Sequence, residues 1–217
     1  MELESVFANG FRSRRLIYRA IESNDADKDF IHSLFLDPIN MALASPQMFN
    51  FASKKDFLAN FDKWVEGAML KAMICLPAEE TDEEVLKTAA MLPGEKIVAE
   101  SAKATPIGYL LLGKVSDNSI HRRNPSLGIQ IHEKYQNKGY GGEAVDWAMD
   151  WAFNFANIHK LEIGTSAFNE RAAHLYQRLG FKIEGRRRDF LYVNRKWYDL
   201  IEMGMLESEY EELRGLK

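Results

Sequence analysis

The stretch YQNKGYGGEAVDWAMDWAF, from Tyr135 to Phe153, places three glycines in four positions just before an apolar pattern typical of a helix. Glycine costs about 1 kcal/mol relative to alanine inside a helix, so helix propensity does not explain Gly139, Gly141 and Gly142. The first backbone N–H groups of a helix have no helical partners, and they can point towards a bound anion. Glycine lets a bulky anion approach the backbone closely. The stretch therefore predicts an anion-binding turn that leads from a strand into a helix.

Two widespread phosphate-binding motifs match this turn poorly. A P-loop requires G-x-x-x-x-G-K-[ST], and the sequence contains no Gly-Lys-Ser or Gly-Lys-Thr. A dinucleotide fingerprint could begin at Gly139 and end at Ala144, where alanine is tolerated. It also needs an acidic residue at the end of the next strand, whereas Glu162 lies near the start of that predicted strand. Neither motif explains the turn.

Apolar periodicity and turn residues predict the elements on either side. Strands are expected at residues 16–21, 96–102, 106–115, 126–135 and 160–168, and in a closing pair within 181–206 about a turn near Asn194. Helices are expected after a cap at Ser23, Asn24 or Asp25, over residues 53–74, over residues 141–156, from Asn169 to Gly180, and in the 206–217 tail. The first two strands after residue 95 should form a hairpin with a turn near 103–106.

Three further local expectations follow from the sequence. Pro38 and Pro46 bracket a predicted loop, and the acidic residues 76–95 predict an insertion or surface segment with a short helix at 82–90. The helix over 141–156 should bury one apolar stripe, made of Val145, Ala148, Trp151, Ala152 and Phe155.

These elements predict an α+β fold in a single domain over residues 1–217. The sheet should be mixed and mostly antiparallel, with helices on both faces. A right-handed crossover between residues 127 and 167 should supply its central parallel strand pair.

Composition excludes several classes of function. The net charge is −4, so no overall basic field favours nucleic acid, and the Arg186–Arg188 run is expected on a solvated strand. Cys75 is the only cysteine, which excludes an intrachain disulfide and suits a reducing compartment. The sequence has no run of about 18 apolar residues, so we expect a cytoplasmic protein outside the membrane. The five histidines show no ligand spacing with cysteine or carboxylates, so no metal site is expected.

The pattern Gln136-x-x-Gly139-x-Gly141 resembles the [Q/R]-x-x-G-x-[G/A] pyrophosphate loop of the GNAT superfamily of acyl-CoA-dependent N-acetyltransferases. About 30 residues later, AFNERAAHLYQRLGF resembles the family's second cofactor element, N-x-x-A-x-x-x-Y-x-x-x-G-F. Its positions here are Asn169, Ala172, Tyr176, Gly180 and Phe181. The closing 185–206 segment is similar to the last hairpin of the branch that includes ribosomal-protein alanine acetyltransferases. The likeness covers residues 96–206.

The resemblance implies that acetyl-CoA is the co-substrate. The diphosphate would lie on the backbone of the loop, which comprises Gln136, Asn137, Lys138, Gly139, Tyr140, Gly141 and Gly142. The pantetheine arm would lie between splayed parallel strands at 128–133 and 161–167, beside Ile129 and Ile131. A backbone N–H near Ile131 would polarise the thioester carbonyl. Asn169 would cap its helix and contact the arm, and Arg171 would either meet a phosphate or stay exposed.

The implied chemistry needs an acid and a neutral amine. A lysine-like amine has a pKa of about 10.4, so its deprotonation costs about 4–5 kcal/mol at pH 7. Tyr176 matches the family's tyrosine acid, with simple packing on the sheet as the other interpretation. His132 and Glu133 are the first candidates for the base. Glu100 and Glu162 are alternatives, and ordered water could serve instead.

The acceptor stays open between a small-molecule amine and a protein N-terminus. We expect residues 116–126 and the first two helices to line its pocket, with Arg122 and Arg123 either contacting an anionic group or staying solvated. A homodimer is possible on the same resemblance. The competing hypothesis is an acyl-CoA sensor or silent module that binds the cofactor without turnover.

Overall fold

The computed structural model describes residues 7, 10–44, 53–79, 91, 93–115 and 117–216. Its strands are β1 (Ile17–Arg19), β2 (Ala68–Leu76), β3 (Thr105–Gly113), β4 (Leu127–Ile131), β5 (Lys160–Ser166), β6 (Lys182–Val193) and β7 (Lys196–Leu206). Its helices are α1 (Asp25–Leu36), α2 (Pro38–Ala44), α3 (Lys54–Glu66), α4 (Pro93–Lys103), α5 (Tyr140–Asn154), α6 (Glu170–Arg178) and α7 (Glu207–Arg214). Short 3-10 helices cover Asp117–Arg122 and Glu133–Tyr135.

The strands form two antiparallel sheets that meet at one point. The first sheet has the order β1-β2-β3-β4 and the second has the order β5-β7-β6. Within the described residues, β4 and β5 are joined by a single parallel bridge from Ser126 to Glu162. Beyond that bridge the two strands do not pair, so a cleft opens between them. The predicted mixed sheet with a splayed parallel pair is therefore confirmed.

Helices cover both faces of the first sheet. On β2, Ala72 and Ile74 belong to one apolar core, which also contains residues of α5, α6 and α7. Met73 and Cys75 belong to the other core, which is packed against α1 and α3. This alternation follows from the two-residue period of a strand. The predicted two-faced arrangement is confirmed.

The helix predicted over residues 53–74 was wrong in its second half. Helix α3 ends at Glu66, Gly67 terminates it, and β2 begins at Ala68. Pairing of β2 with both β1 and β3 satisfies its backbone groups, and this tertiary arrangement outweighs the helical propensity of the Ala-Met-Leu-Lys-Ala segment.

The strand predicted at residues 96–102, and the hairpin it was to form, were also wrong. These residues belong to helix α4, which starts at Pro93, a residue favoured in the first helical turn. Strand β3 pairs instead with β2 and β4. The helix predicted at 82–90 lies outside the described residues.

Two smaller corrections concern helices. The segment after Pro38 is helix α2 rather than a loop, and the Asp37 carboxylate caps it by accepting from the backbone N–H groups of Ile39 and Asn40. On α5, Phe155 lies just beyond the helix and is 42% exposed, while Trp147 is buried and stacks on Tyr18. The buried face is thus wider than predicted, because Trp147 packs on β1 and Phe153 stacks on Tyr210 of α7.

Candidate active site

The glycine-rich turn leads from β4 into α5, as the sequence predicted. Gly139 is the residue before the helix and has a φ of 85°, a left-handed conformation that favours glycine. A side chain at Gly142 would come within 3.0 Å of the Leu175 Cδ1 atom, so this glycine also allows α5 and α6 to approach closely. The N–H groups in the first turn of α5 that lack helical partners border one end of the cleft, an arrangement that can bind an anion.

Arg15 holds this turn from the N-terminal segment. Its guanidinium donates to the Lys138 carbonyl at 2.9 Å and to the Glu143 carboxylate at 2.7 Å, and it lies 4.6 Å from the Tyr140 ring centre. Burial alone would raise the pKa of Glu143, but hydrogen bonds from Ser13 and Arg15 lower it below its usual value. The Glu143 carboxylate therefore stays ionised, and Arg15 neutralises its charge. Sequence reasoning missed this role of Arg15, since the two residues are 128 positions apart.

Arg171 joins the two cofactor motifs to each other. One guanidinium nitrogen donates to the Asn137 side-chain oxygen at 2.7 Å, and the other donates to the Gln136 side-chain oxygen at 2.8 Å. The Gln136 side-chain nitrogen donates to the Ile131 carbonyl at 2.9 Å. A single network thus runs from α6 through the turn to the end of β4.

Helix α2 lies against both motifs. Asn169 caps α6 by accepting from the Ala172 N–H, as predicted, and its amide nitrogen donates to the Leu43 carbonyl at 3.1 Å. Gln136 donates to the Asn40 side-chain oxygen at 3.2 Å. The structure therefore brings a third element to the cleft, in a segment that the sequence predicted to be a loop.

One cavity, of about 340 Å³, lies between β4, the turn, α2 and α6. Among its described lining residues the charged side chains are Arg171 and Arg178, and we name it the arginine cavity. Every predicted cofactor-binding residue except Lys138 lines it: Ile129, Ile131, Gln136, Asn137, Gly139, Tyr140, Gly141, Gly142, Asn169, Ala172 and Tyr176. A CoA molecule carries three phosphates, so this cationic cavity with free turn N–H groups fits it chemically.

A second cavity, of about 470 Å³, lies on the other side of the splay, between β4, β5, β6 and β7. Its charged lining residues in the described chain are Glu162, Glu184 and Glu202, and we name it the glutamate cavity. Each of the three has a cationic neighbour: Lys160 lies 3.2 Å from Glu162 and 2.6 Å from Glu184, and Arg187 lies 3.6 Å from Glu202. The two cavities share four lining residues: Leu43, Ala44, Ile129 and Tyr176.

Tyr176 lies where the two cavities meet and is 7% exposed. Burial raises the pKa of Tyr176 to about 12, so the hydroxyl keeps its proton across the physiological range. A buried, protonated hydroxyl at this junction can donate a hydrogen bond to an atom that passes from one cavity to the other.

The predicted base candidates lie in different surroundings. His132 lies 6.4 Å from the Phe30 ring, and its Nδ1 atom accepts from the Lys134 N–H, while Glu133 is exposed. Neither lines the arginine cavity or the glutamate cavity. Glu100 is on helix α4, where it pairs with Arg12 and Lys96. Of the four carboxylates and imidazoles considered, Glu162 alone lines one of these two cavities.

Of the loop expected to line the acceptor pocket, the described residues 117–126 border the two named cavities only through Ser126. Ser126 lines the glutamate cavity, whereas Arg123 donates to the Asn157 carbonyl and side chain, and Arg122 is exposed. Within the described ranges, no cluster of three metal-ligating side chains occurs. In the same part of the chain, no helix combines the length and apolar character that crossing a bilayer requires.

Comparison with curated proteins finds N-acetyltransferases, among them spermidine and ribosomal-protein acetyltransferases. The spermidine N(1)-acetyltransferase of Vibrio cholerae serotype O1 is 31% identical over 115 residues, which cover 53% of this chain and 65% of that protein. The Escherichia coli K12 spermidine N(1)-acetyltransferase is 34% identical over 100 residues, or 46% of this chain and 53% of its own length. The ribosomal protein uS5-alanine N-acetyltransferase of Escherichia coli is 34% identical over 73 residues, or 34% of this chain and 38% of that enzyme. In each case the match spans less than two thirds of the relative.

Solved structures share the fold. A spermidine N-acetyltransferase from Vibrio cholerae, crystallised with CoA and spermine, superposes with a TM-score of 0.69 at 22% identity, covering 91% of this chain and 99% of that one. A GNAT-family acetyltransferase from Bacillus anthracis superposes with a TM-score of 0.65 at 17% identity, covering 91% and 98%. The sequence model of the family described as acetyltransferase (GNAT) domain matches residues 15–182. This range contains both cofactor motifs and the splayed strands β4 and β5. The chain belongs to the GNAT acetyltransferase family.

Proposed function

We propose that the protein transfers an acetyl group from acetyl-CoA to a primary amine that is held in the glutamate cavity. The observation that carries the proposal is that a cavity lined by two arginines and a cavity lined by three glutamates meet at Tyr176. An anionic cofactor suits the arginine cavity and a cationic acceptor suits the glutamate cavity. The reacting groups would then meet between β4 and β5.

The chain's own residues would bind the cofactor from three sides. The first-turn N–H groups of α5 would hold the diphosphate, with Arg171 and Arg178 supplying positive charge. The unpaired edges of β4 and β5 would accept the pantetheine arm as an added strand does. Arg15 would keep the turn in place through Glu143 and Lys138.

Acetyl-CoA supplies an activated acyl group and a thiol leaving group. A thiol of ordinary pKa, about 8.5, is a stronger acid than a tyrosine whose pKa is raised to about 12. Tyr176 would therefore stabilise the departing sulfur by donating a hydrogen bond while keeping its proton. Glu162, which borders the glutamate cavity, is better placed to receive the amine proton through water than His132 or Glu133, which remain predictions.

A small polyamine is the acceptor class that we favour over a protein N-terminus. Three carboxylates border one cavity, and a molecule with several ammonium groups can meet more than one of them at once. Relatives named as spermidine N-acetyltransferases support the same choice, and the relative that acetylates a ribosomal protein keeps the alternative open.

The proposal extends to the chain's organisation and surroundings. We take residues 1–217 as belonging to one acetyltransferase domain that works in the cytoplasm, where the buried thiol of Cys75 stays reduced. Exposed aromatic side chains on the β6–β7 hairpin, Tyr192 and Trp197, support a homodimer. Sedimentation of the wild type and of a Trp197→Ser variant would test the dimer.

A thiol-release assay tests the activity. The protein is mixed with acetyl-CoA and, in turn, spermidine, propylamine and a peptide that begins with alanine, and free thiol is followed over time. We expect release with spermidine at the lowest amine concentration. Release with the peptide alone would contradict the polyamine assignment. CoA binding without release for any amine would favour the silent module, and absence of CoA binding would contradict both hypotheses.

A further inference from the structure

Asn40 of helix α2 is a buried amide whose nitrogen is left without a partner. The residue is 3% exposed and lines the arginine cavity. Its side-chain oxygen accepts from Gln136 at 3.2 Å. Its side-chain nitrogen, Nδ2, has no hydrogen-bond partner among the residues that the structure describes. Neither cofactor motif contains Asn40.

The hydrogen-bond network determines which end of the Asn40 amide is free. Arg171 can only donate, so the end of Gln136 that faces it at 2.8 Å must be the oxygen. The other end of Gln136 is then the nitrogen, which agrees with its contact to the Ile131 carbonyl, a group that can only accept. That nitrogen must meet the oxygen of Asn40. The free end of Asn40 is therefore a donor with two N–H groups.

A buried donor without an acceptor costs about 1–3 kcal/mol, and such groups in a folded protein call for an explanation. The position of Asn40 indicates which acceptor it would meet. Asn40 contacts Gln136 of the turn. Leu43, one helical turn further along α2, lines both cavities and so lies at their junction. Asn40 thus lies between the diphosphate end of the arginine cavity and its acyl end.

We propose that Asn40 is a cofactor-binding residue whose Nδ2 atom donates to an amide carbonyl of the pantetheine arm of acyl-CoA. This inference rests on the proposed function, because it requires acyl-CoA in the arginine cavity. A neutral amide donor matches a neutral carbonyl acceptor, while the phosphates have Arg171, Arg178 and the N–H groups of the turn. The contact would attach helix α2 directly to the cofactor.

The test is an Asn40→Leu variant, which keeps the size of the side chain and removes the donor. We expect its dissociation constant for CoA to rise about tenfold, because one buried hydrogen bond is lost. The thermal midpoint of the ligand-free variant should stay close to that of the wild type, because removal of the unpaired buried nitrogen offsets the loss of the hydrogen bond from Gln136. Adenosine 3′,5′-bisphosphate, which lacks the arm, should bind both proteins within about twofold of each other.

The matched control is Asn60→Leu, because Asn60 is an exposed amide on α3 that donates within its own helix. Its CoA affinity should equal that of the wild type. If Asn40→Leu fails to fold, Asn40→Asp keeps the oxygen that Gln136 needs, and it should also bind CoA at least tenfold more weakly.

Unchanged CoA affinity in a folded Asn40 variant would overturn the inference. An equal loss for CoA and for the bisphosphate in Asn40→Leu would place the contact at the phosphates and would also overturn it. A lower thermal midpoint of Asn40→Leu with both affinities unchanged would indicate a purely structural residue. If the wild type itself fails to bind CoA, the proposed function has failed instead.

Discussion

The two cavities of the cleft differ in the charged side chains that line them and in the parts of the chain that supply those side chains. The arginine cavity is bordered by β4, the turn after it and helices α2 and α6, and both of its arginines, Arg171 and Arg178, lie on the single helix α6. The glutamate cavity takes its carboxylates from three strands, with Glu162 on β5, Glu184 on β6 and Glu202 on β7. The chain's net charge of −4 does not reveal the arginines of one cavity or the glutamates of the other. Charged side chains of opposite sign on the two sides of Tyr176, rather than the overall charge, can direct an anionic cofactor and a cationic acceptor to different cavities.

The largest effect should come from the boundary between the cavities. Replacing Tyr176 with Phe removes the hydroxyl donor while keeping the ring that contacts Phe181. We expect kcat to fall about 100-fold, since loss of one preorganised hydrogen-bond donor to a developing negative charge costs about 10²–10³ in kcat. CoA affinity should be unchanged. Steady-state kinetics would check this, with the exposed Tyr192→Phe as control. Full turnover in Tyr176→Phe would remove the tyrosine from the mechanism.

The second-largest effect should come from the arginine cavity. An Arg171→Ala variant loses one positive charge and its links to Gln136 and Asn137. We expect the dissociation constant for CoA to rise about 10- to 100-fold, as charge-assisted bonds contribute roughly 1.5–3 kcal/mol. The Michaelis constant for the amine should stay within about twofold. Calorimetry on this variant and on Arg122→Ala, an exposed control, would measure it. A CoA affinity equal to that of the wild type would break the assignment of this cavity.

A smaller effect should appear on the glutamate side. A double Glu184→Gln and Glu202→Gln variant keeps the shape of the cavity and removes two negative charges. We expect the Michaelis constant for spermidine to rise about fivefold, because exposed carboxylates are screened by water, and the increase should shrink at high salt. Glu212→Gln on α7 is the control. An unchanged Michaelis constant at low salt would argue against a cationic acceptor.

The smallest effect concerns stability in alkali. Burial raises the pKa of Tyr176 to about 12, above the usual value of about 10 that an unfolded chain would have, and it also raises the pKa values of Tyr18 and Tyr109. Protons are then held more tightly in the folded state. The resulting stability is fully present below about pH 10 and is lost as the pH rises towards 12.

Thermal melting between pH 8 and pH 11.5 would measure this loss. The midpoint should be flat up to about pH 10 and fall above it, and Tyr176→Phe should fall less steeply than the wild type. Parallel curves for the two proteins would show that Tyr176 does not take part.

The same contrast between the cavities explains which parts of the fold and the site could be predicted from the sequence. The turn around Gly139 and the helix capped by Asn169 depend on backbone conformation and local capping, which residues adjacent in the sequence determine. The glutamate cavity and the Arg15–Glu143 pair depend on contacts between distant segments, so no local pattern records them. The predictions for residues 68–74 and 96–102 were wrong for a related reason: a short apolar run suits a helix or a strand, and tertiary contacts decide between them.

The two cavities should bind their ligands at the same time, and a calorimetric titration tests this most directly. CoA is titrated into the protein, and spermidine is then titrated into the CoA-saturated protein and into the free protein. We predict that each ligand binds once per chain, that spermidine binds whether or not CoA is present, and that Arg171→Ala weakens CoA alone. Displacement of spermidine by CoA, or a loss of spermidine binding in Arg171→Ala, would contradict the assignment of the two cavities.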